Sequence, residues 1–341
     1  MTPSRQTSQE QRLRKAGIRP YGVLIHDQDR PWLVKNFAAG ATKYPVNVAR
    51  LMRNIIWQTR QRIVRGQREP LNELVRTFWY MYVKPTLSRA GALARETDQY
   101  KQLVEQLAHM VLELDVMRYA DIGFRDDNEA HRWVGPNANI VLFSEKLGHQ
   151  AFLSEMADLY QVSIIALGGQ PSVVNVEYFV ESLRAAGVNL RRSFYLFSVV
   201  DYDPSGWIIR DAFVNDLHFY GIRNVRMVDL ITPDMLTPEE VKFSRYRLPM
   251  GGDMPTKTKS WLAEVRERRY ANQTHLEEAR AGKRVLYGLE AEAVSGKRLA
   301  AKLEEIMAPL VGKSEDLLRI YELRKLNEAL RDLMLHKLTT E

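Results

Sequence analysis

The sequence predicts an α/β chain in which a helical N-terminal domain precedes a doubly wound parallel sheet with helical C-terminal additions. Three observations carry that expectation. Apolar residues recur at helical spacing from Pro45 to about Leu114, strands and helices alternate from Asn139 to Leu230, and the charge balance changes between the two stretches. With 341 residues and 45% hydrophobic side chains, the chain is long enough for two or three packed domains. Zero cysteine excludes disulfides, thiolate zinc sites, iron–sulfur clusters and cysteine nucleophiles together. No apolar run is long enough to span a membrane, and Met1–Arg14 is polar, without the apolar segment of a signal peptide. A cytoplasmic protein is the expectation.

Residues 1–40 are broken by Gly17, Pro20, Gly22, Pro31 and Gly40, and read as a basic arm with little regular structure. Residues 1–70 hold 14 Lys and Arg against 4 Asp and Glu, while the remainder is slightly acidic. Such a balance suits a phosphate-binding arm, although a solvated or protein-binding surface accounts for charge equally well. From Pro45, Val48, Leu51, Met52, Ile55, Ile56 and Ile63 mark a helix with Arg50, Arg53 and Arg60 on other faces. A second helix is expected from Leu71 to Lys84, stopped by Pro85, and a third over Asp98–Leu114. Strand-like pieces at Met117–Gly123 and His131–Val134 then read as a hairpin. Three helices and a hairpin are the order of a winged-helix (CAP-like) domain, here 41–137, and equally of a generic helical domain.

Beyond it, strands are expected at Asn139–Phe143, Val162–Leu167, Ser193–Val200 and Asn224–Leu230, with helices at Gly148–Tyr160, Ser172–Ala186 and Gly206–Tyr220. Short apolar strands separated by helices of this length indicate a Rossmann-like parallel sheet. Residues after Ile231 read as mainly helical, so 138–311 form one elaborated domain and 312–341 an amphipathic helix with Leu317, Ile320, Leu323, Leu326, Leu330 and Leu333. That leucine stripe suits packing within the chain or in a dimer. Gly312-Lys313-Ser314 is no phosphate loop, because Met307 stands where its first glycine is needed. His26, Asp27 and Asp29 lack ligand spacing and read as a surface loop.

Ligands of open parallel sheets bind beyond the carboxyl ends of strands. Glu145 follows one predicted strand, and Asp201-Tyr202-Asp203-Pro204-Ser205-Gly206 follows another. Residues two apart in extended chain face the same way, so Asp201 and Asp203 can share a side with Glu145. Three carboxylates without nearby His or Cys make a hard oxygen site that favours Mg²⁺. An Asp-x-Asp taken alone is more often a solvated turn, and its placement after one core strand with Glu145 after another is what balances the two readings.

These residues resemble a known family. Val141-Leu142-Phe143-Ser144-Glu145-Lys146, Ala166-Leu167-Gly168-Gly169-Gln170-Pro171 and Asp201-Tyr202-Asp203-Pro204-Ser205-Gly206 are similar, in order and spacing, to the Toprim signatures of the DNA topoisomerase VI A subunit. They resemble equally the related protein that makes meiotic double-strand breaks. That family places a winged helix before Toprim, with a nucleophilic tyrosine in an Arg-x-x-x-Tyr context. Here the motif selects Tyr80, with Arg76 one turn earlier. Helix geometry, at about 100° per residue, puts Leu71, Leu74, Val75, Phe78 and Tyr82 on a core face and Tyr80 opposite it.

The resemblance implies Mg²⁺ on Glu145, Asp201 and Asp203, Tyr80 as nucleophile, and duplex DNA as partner. Arg50, Arg53, Arg60, Lys84 and Lys146 are the candidate DNA contacts. It further implies a homodimer, and ATP only through a separate GHKL-type ATPase B subunit in an A2B2 heterotetramer, associated with the nucleoid. The alternatives are a break-forming enzyme without strand passage and a DNA-binding scaffold with a vestigial site. The family's Glu-x-x-Glu-Ser-Asp segment is reduced here to Glu96-Thr97-Asp98, and Trp79 replaces the first tyrosine of its Tyr-Tyr pair. Lys283–Leu303 resembles its late basic-acidic helix.

Overall fold

The computed structural model describes residues 3–40, 43–126, 128–168, 173–249, 254–280 and 283–312, with scattered positions between 319 and 334. Contacts divide the chain into two units, Met1–Asp127 and Asn128–Glu341.

In the first unit the basic arm is more regular than its glycines and prolines suggest. Helix α1 covers Pro3–Lys15 and α2 covers Arg30–Phe37, where Asp29 caps the helix by accepting from the Trp32 N–H at 3.0 Å. Arg12 Nη1 donates to the Leu114 carbonyl at 2.7 Å, so α1 is fastened to the unit rather than projecting from it. Helix α3, Val48–Val64, is capped by Asn47 and buries the expected stripe of Leu51, Met52, Ile55 and Ile56. The next helix departs from expectation at both ends. It begins at Val75 rather than Leu71, as α4 (Val75–Phe78), widens into a π-turn (Trp79–Val83), and continues as α5 (Lys84–Arg89). Pro85 therefore does not stop it. The π-turn lies just ahead of the missing N–H, and Pro85 sits in the first turn of α5, where proline is tolerated. Helix α6 (Glu96–Ala108) ends in a second π-turn, His109–Glu113.

The expected hairpin does not form. Tyr119–Asp121 is a 3₁₀ turn, and the apolar side chains of Met117, Ile122 and Phe124 are core residues of the first unit. Arg132–Trp133 is instead strand β1 of the second unit, antiparallel to β3 (Val162–Ala166). Apolar content marked burial correctly at 117–124 but not the pairing partner, and Trp133 on β1 is exposed.

The second unit matches the predicted alternation within a few residues. After β1 come β2 (Asn137–Ser144), α7 (Gln150–Tyr160), β3, α8 (Val173–Ala185), β4 (Phe194–Val199), α9 (Pro204–Phe219) and β5 (Val225–Asp229). The sheet order is β1-β3-β2-β4-β5, with β3, β2, β4 and β5 parallel. From β2 the chain moves outward to β3, then returns past β2 to β4. The order reverses between β2 and β4, and such a switch point opens a crevice at the strands' carboxyl ends.

After Ile231 the expectation of mainly helix is only half met. Helices α10 (Pro238–Ser244), α11 (Met254–Arg268) and α12 (Gly296–Val311) are joined by an antiparallel sheet of β6 (Arg245–Arg247), β8 (Lys283–Leu289) and β7 (Glu277–Arg280). The segment resembling a late helix thus opens as a strand. Beyond Gly312, the described positions are helical, and Leu323, Leu326, Leu330 and Leu333 are exposed. Leu317, Ile320, Lys313, Ser314 and the glycine-rich Gly169–Pro171 lie outside the described residues.

Candidate metal centre and candidate nucleophile

The parallel ladder delivers the acids. The Glu145 N–H donates to the Val199 carbonyl at 3.3 Å, extending the pairing of β2 with β4 one step past Ser144. Just beyond β4, the chain alternates as expected. The Tyr202 side chain is fully buried among Trp207, Trp261 and Tyr270, while the flanking Asp201 and Asp203 carboxylates both act on Glu145. Asp203 caps α9, its Oδ1 accepting from the Gly206 N–H at 2.6 Å, and Pro204 takes the first helical position. Only glycine fits at 206, because a Cβ there would stand 2.3 Å from the Asp201 carbonyl oxygen.

Lys146, expected as a DNA contact, and residues that the sequence did not single out complete the cluster. Tyr246, on β6, donates its hydroxyl to Asp203 Oδ2. Lys146 Nζ lies 3.0 Å from Asp201 Oδ1 and 2.7 Å from Glu292 Oε2. The Ala291 N–H donates to Asp201 Oδ1 at 2.8 Å. Gly288 lets β8 approach, since a Cβ there would meet Asp203 Cβ at 2.9 Å. A glycine inside the apolar run Val285–Leu289 was the readable sign of that approach. His149 Nδ1 lies 2.9 Å from Ser144 Oγ, near the same acids.

Electrostatics follow from this crowding. Burial raises the Glu145 carboxyl above the usual range, and the like charges of Asp201 and Asp203 raise it further, against a hydrogen bond from the Asp201 N–H. Burial also raises Asp203, opposed by its bonds from Gly206 and Tyr246. Burial alone would lower Lys146, but its bonds to Glu292 and Asp201 outweigh that and hold it well above an ordinary lysine. Burial lowers His149, which favours the neutral ring.

Among the described residues, no group of three or more His, Asp or Glu side chains stands arranged to hold a metal ion. Asp201 is paired with Lys146, and Asp203 accepts from Gly206 and Tyr246. The donor set still fits a hard divalent cation. Glu145 Oε2 is buried with no hydrogen-bond partner, an orphan acceptor beside two further carboxylates.

In the first unit, Tyr80 sits in the π-turn with 43% of its surface exposed, while its neighbours Trp79 and Val83 are fully buried. The Arg76 guanidinium carbon lies 5.9 Å, and Lys84 Nζ 4.8 Å, from the Tyr80 ring centre. Tyr82 is half-buried, packs on Phe78 at 5.3 Å, and accepts a hydrogen bond from Arg68. The outward tyrosine is therefore the one expected, although Leu71 and Leu74 are not part of the helix and Leu74 is exposed.

The three candidate arginines of α3 have partners inside the protein. Arg50 Nη2 donates to the Asn36 carbonyl at 2.7 Å, and Arg53 Nε to the Ala16 carbonyl at 3.1 Å. Arg60 Nε pairs with Asp121 Oδ2 at 2.7 Å. Charge counting cannot show direction, and these guanidiniums fasten the 1–40 segment and the 3₁₀ turn onto α3. The chain matches no protein-family model and no curated protein, so its chemistry rests on its own residues.

Proposed function

We propose that the chain is the DNA-cleaving A subunit of a type IIB, topoisomerase VI-like enzyme. The observation that carries this reading is the placement of Glu145 directly after β2, and of Asp201 and Asp203 after the neighbouring β4, at the switch point of a parallel sheet, with Glu145 Oε2 buried and unpartnered. Exposed Tyr80, with a cation on each side along its helix, supports it from the other unit. The reading makes unit one a winged-helix domain without a hairpin among its described residues, and unit two a Toprim domain.

In the proposed reaction, the Tyr80 hydroxyl loses its proton and its oxygen attacks a backbone phosphorus. A tyrosyl–phosphate bond forms as the bond from phosphorus to a deoxyribose oxygen breaks, and that oxygen takes up a proton. One phosphodiester replaces another, so resealing needs no separate energy source. A phenol with pKa near ~10 is a poor nucleophile at neutral pH. Arg76 and Lys84 would stabilise the developing phenolate and the phosphate it meets. Glu145, Asp201 and Asp203 would hold Mg²⁺, which when bound supplies positive charge against the reacting phosphate. Tyr80 of one copy and the acids of a second would act together in a homodimer. Strand passage would draw on ATP through a separate GHKL-type ATPase in an A2B2 assembly.

The test is an adduct assay. The purified chain is incubated with supercoiled plasmid and Mg²⁺, with and without a candidate ATPase, then denatured and assayed for protein covalently attached to DNA ends. Wild type and Tyr82→Phe should form adducts and Tyr80→Phe should form none. Adducts from Tyr80→Phe would move the nucleophile elsewhere, and none from wild type under any condition would refute the enzyme reading.

A further inference from the structure

We propose that Lys146 is a built-in counter-cation of the acidic cluster, displaced from Asp201 when a divalent cation enters and retained by Glu292. The proposal rests on the metal reading above and assigns two residues to it. A bare cluster of Glu145, Asp201 and Asp203 would repel itself, and the ammonium 3.0 Å from Asp201 Oδ1 answers that repulsion. It also takes an acceptor that an entering cation needs.

Glu292 makes the arrangement an exchange rather than a permanent pair. It lies 2.7 Å from the same ammonium and is about half exposed, at the end of the second sheet beside the Ala291 N–H that holds Asp201. Lys146 has two carboxylate partners, and only one belongs to the cluster. Losing Asp201 leaves it paired.

The backbone is set for side-chain motion alone. The Lys146 N–H donates to Ser144 Oγ at 3.1 Å, and Ser144 Oγ donates to the Lys146 carbonyl at 2.9 Å. The main chain is pinned at both polar groups while the four-carbon stem turns about its own bonds. Glu145 Oε2 is buried with no hydrogen-bond partner, so the ammonium does not bond to it. An entering ion would gain Asp201 and that orphan oxygen together.

Mn²⁺ binding to the full-length chain, followed by calorimetry and by loss of the free-ion resonance signal, tests this without DNA or turnover. Lys146→Met should bind Mn²⁺ roughly tenfold tighter than wild type, because a competing cation is gone. Glu292→Gln should bind more weakly than wild type, since the displaced ammonium is left without its second carboxylate, and Glu145→Gln should lose binding. Should Lys146→Met fail to fold by circular dichroism, Glu292→Gln decides, as it alters a partly exposed side chain. If wild type binds but Lys146→Met binds equally or more weakly, or Glu292→Gln binds equally or more tightly, the exchange is overturned and the metal reading stands. If folded wild type and Lys146→Met both fail to bind, the metal reading falls and the exchange falls with it.

Discussion

Asp216 is an acid that the proposed chemistry does not use, and it reports burial in isolation. It lies on α9, 9% exposed, with its carboxyl pushed up to about 7 by burial. A carboxyl raised in the folded state holds its proton more tightly there than in the unfolded chain. Stability therefore falls as pH rises from the ordinary Asp range towards 7, and the full penalty is present above 7. Asp216→Asn should stabilise the protein by about 2–4 kcal/mol at pH 8 and by less at pH 5, read from urea unfolding at both pH values. An equal gain at both would mean that the carboxyl does not titrate as stated. Gly206→Ala would drive a methyl group into the Asp201 carbonyl, a backbone atom that cannot move aside alone. A loss of about 2–3 kcal/mol is expected in thermal unfolding, together with loss of Mn²⁺ binding. Glu145, Asp201 and Asp203 were legible because short-range rules place them, Glu145 and Asp201 at the ends of predicted strands and Asp203 two residues further on the same side. Glu292 and Tyr246 were not. They reach the cluster from 146 and 43 positions away, and no local pattern records such a meeting.

Among elements, the central strands were readable because burial on both faces leaves unbroken apolar runs between turn residues. The second sheet was not, since Arg245–Arg247 and Glu277–Arg280 are short and mostly charged, without the alternation that marks a half-buried strand. The Tyr80 helix was read as one regular cylinder, and periodicity alone could not expose its π-turn. That turn makes its own prediction. Trp79 is fully buried and Met81, two residues on, is 55% exposed. Trp79→Ala should cost about 3–5 kcal/mol, whereas Met81→Ala should change stability by no more than about 0.5 kcal/mol, both measured by denaturant unfolding. A large loss at Met81 would show it packed.

For the whole molecule, charge remains the coarsest guide to function. Through Arg95 the chain carries 18 Lys and Arg against 5 Asp and Glu, whereas residues 138–232 carry 7 against 10. No helix among the described residues is long and apolar enough to cross a membrane. If the chain binds DNA as proposed, the basic excess overstates the charge free to do so, because Arg50, Arg53 and Arg60 are bound to groups inside the first unit. Each phosphate neutralised contributes about 0.9 to the slope of log affinity against log salt. Arg60→Gln should therefore lower thermal stability through its lost Asp121 partner and leave that slope unchanged, while Lys84→Gln should reduce the slope by about one unit. A slope reduced by Arg60→Gln in a protein of unchanged stability would return that arginine to the DNA surface.

The π-turn also gives the helix of Tyr80 two angular phases. An ordinary α-helix turns about 100° per residue along its whole length, so one buried stripe dictates which side chains are hidden at both ends. Widening Trp79–Val83 amounts to one extra residue in that count. The stripe ending at Phe78 and the stripe carried on by Leu87 can then each meet its own neighbours without being in step. Within the turn itself Trp79 and Val83 are buried while Tyr80 is exposed. Shortening the turn by one residue would bring the two stripes into a single phase and rotate the downstream half by a quarter-turn or more.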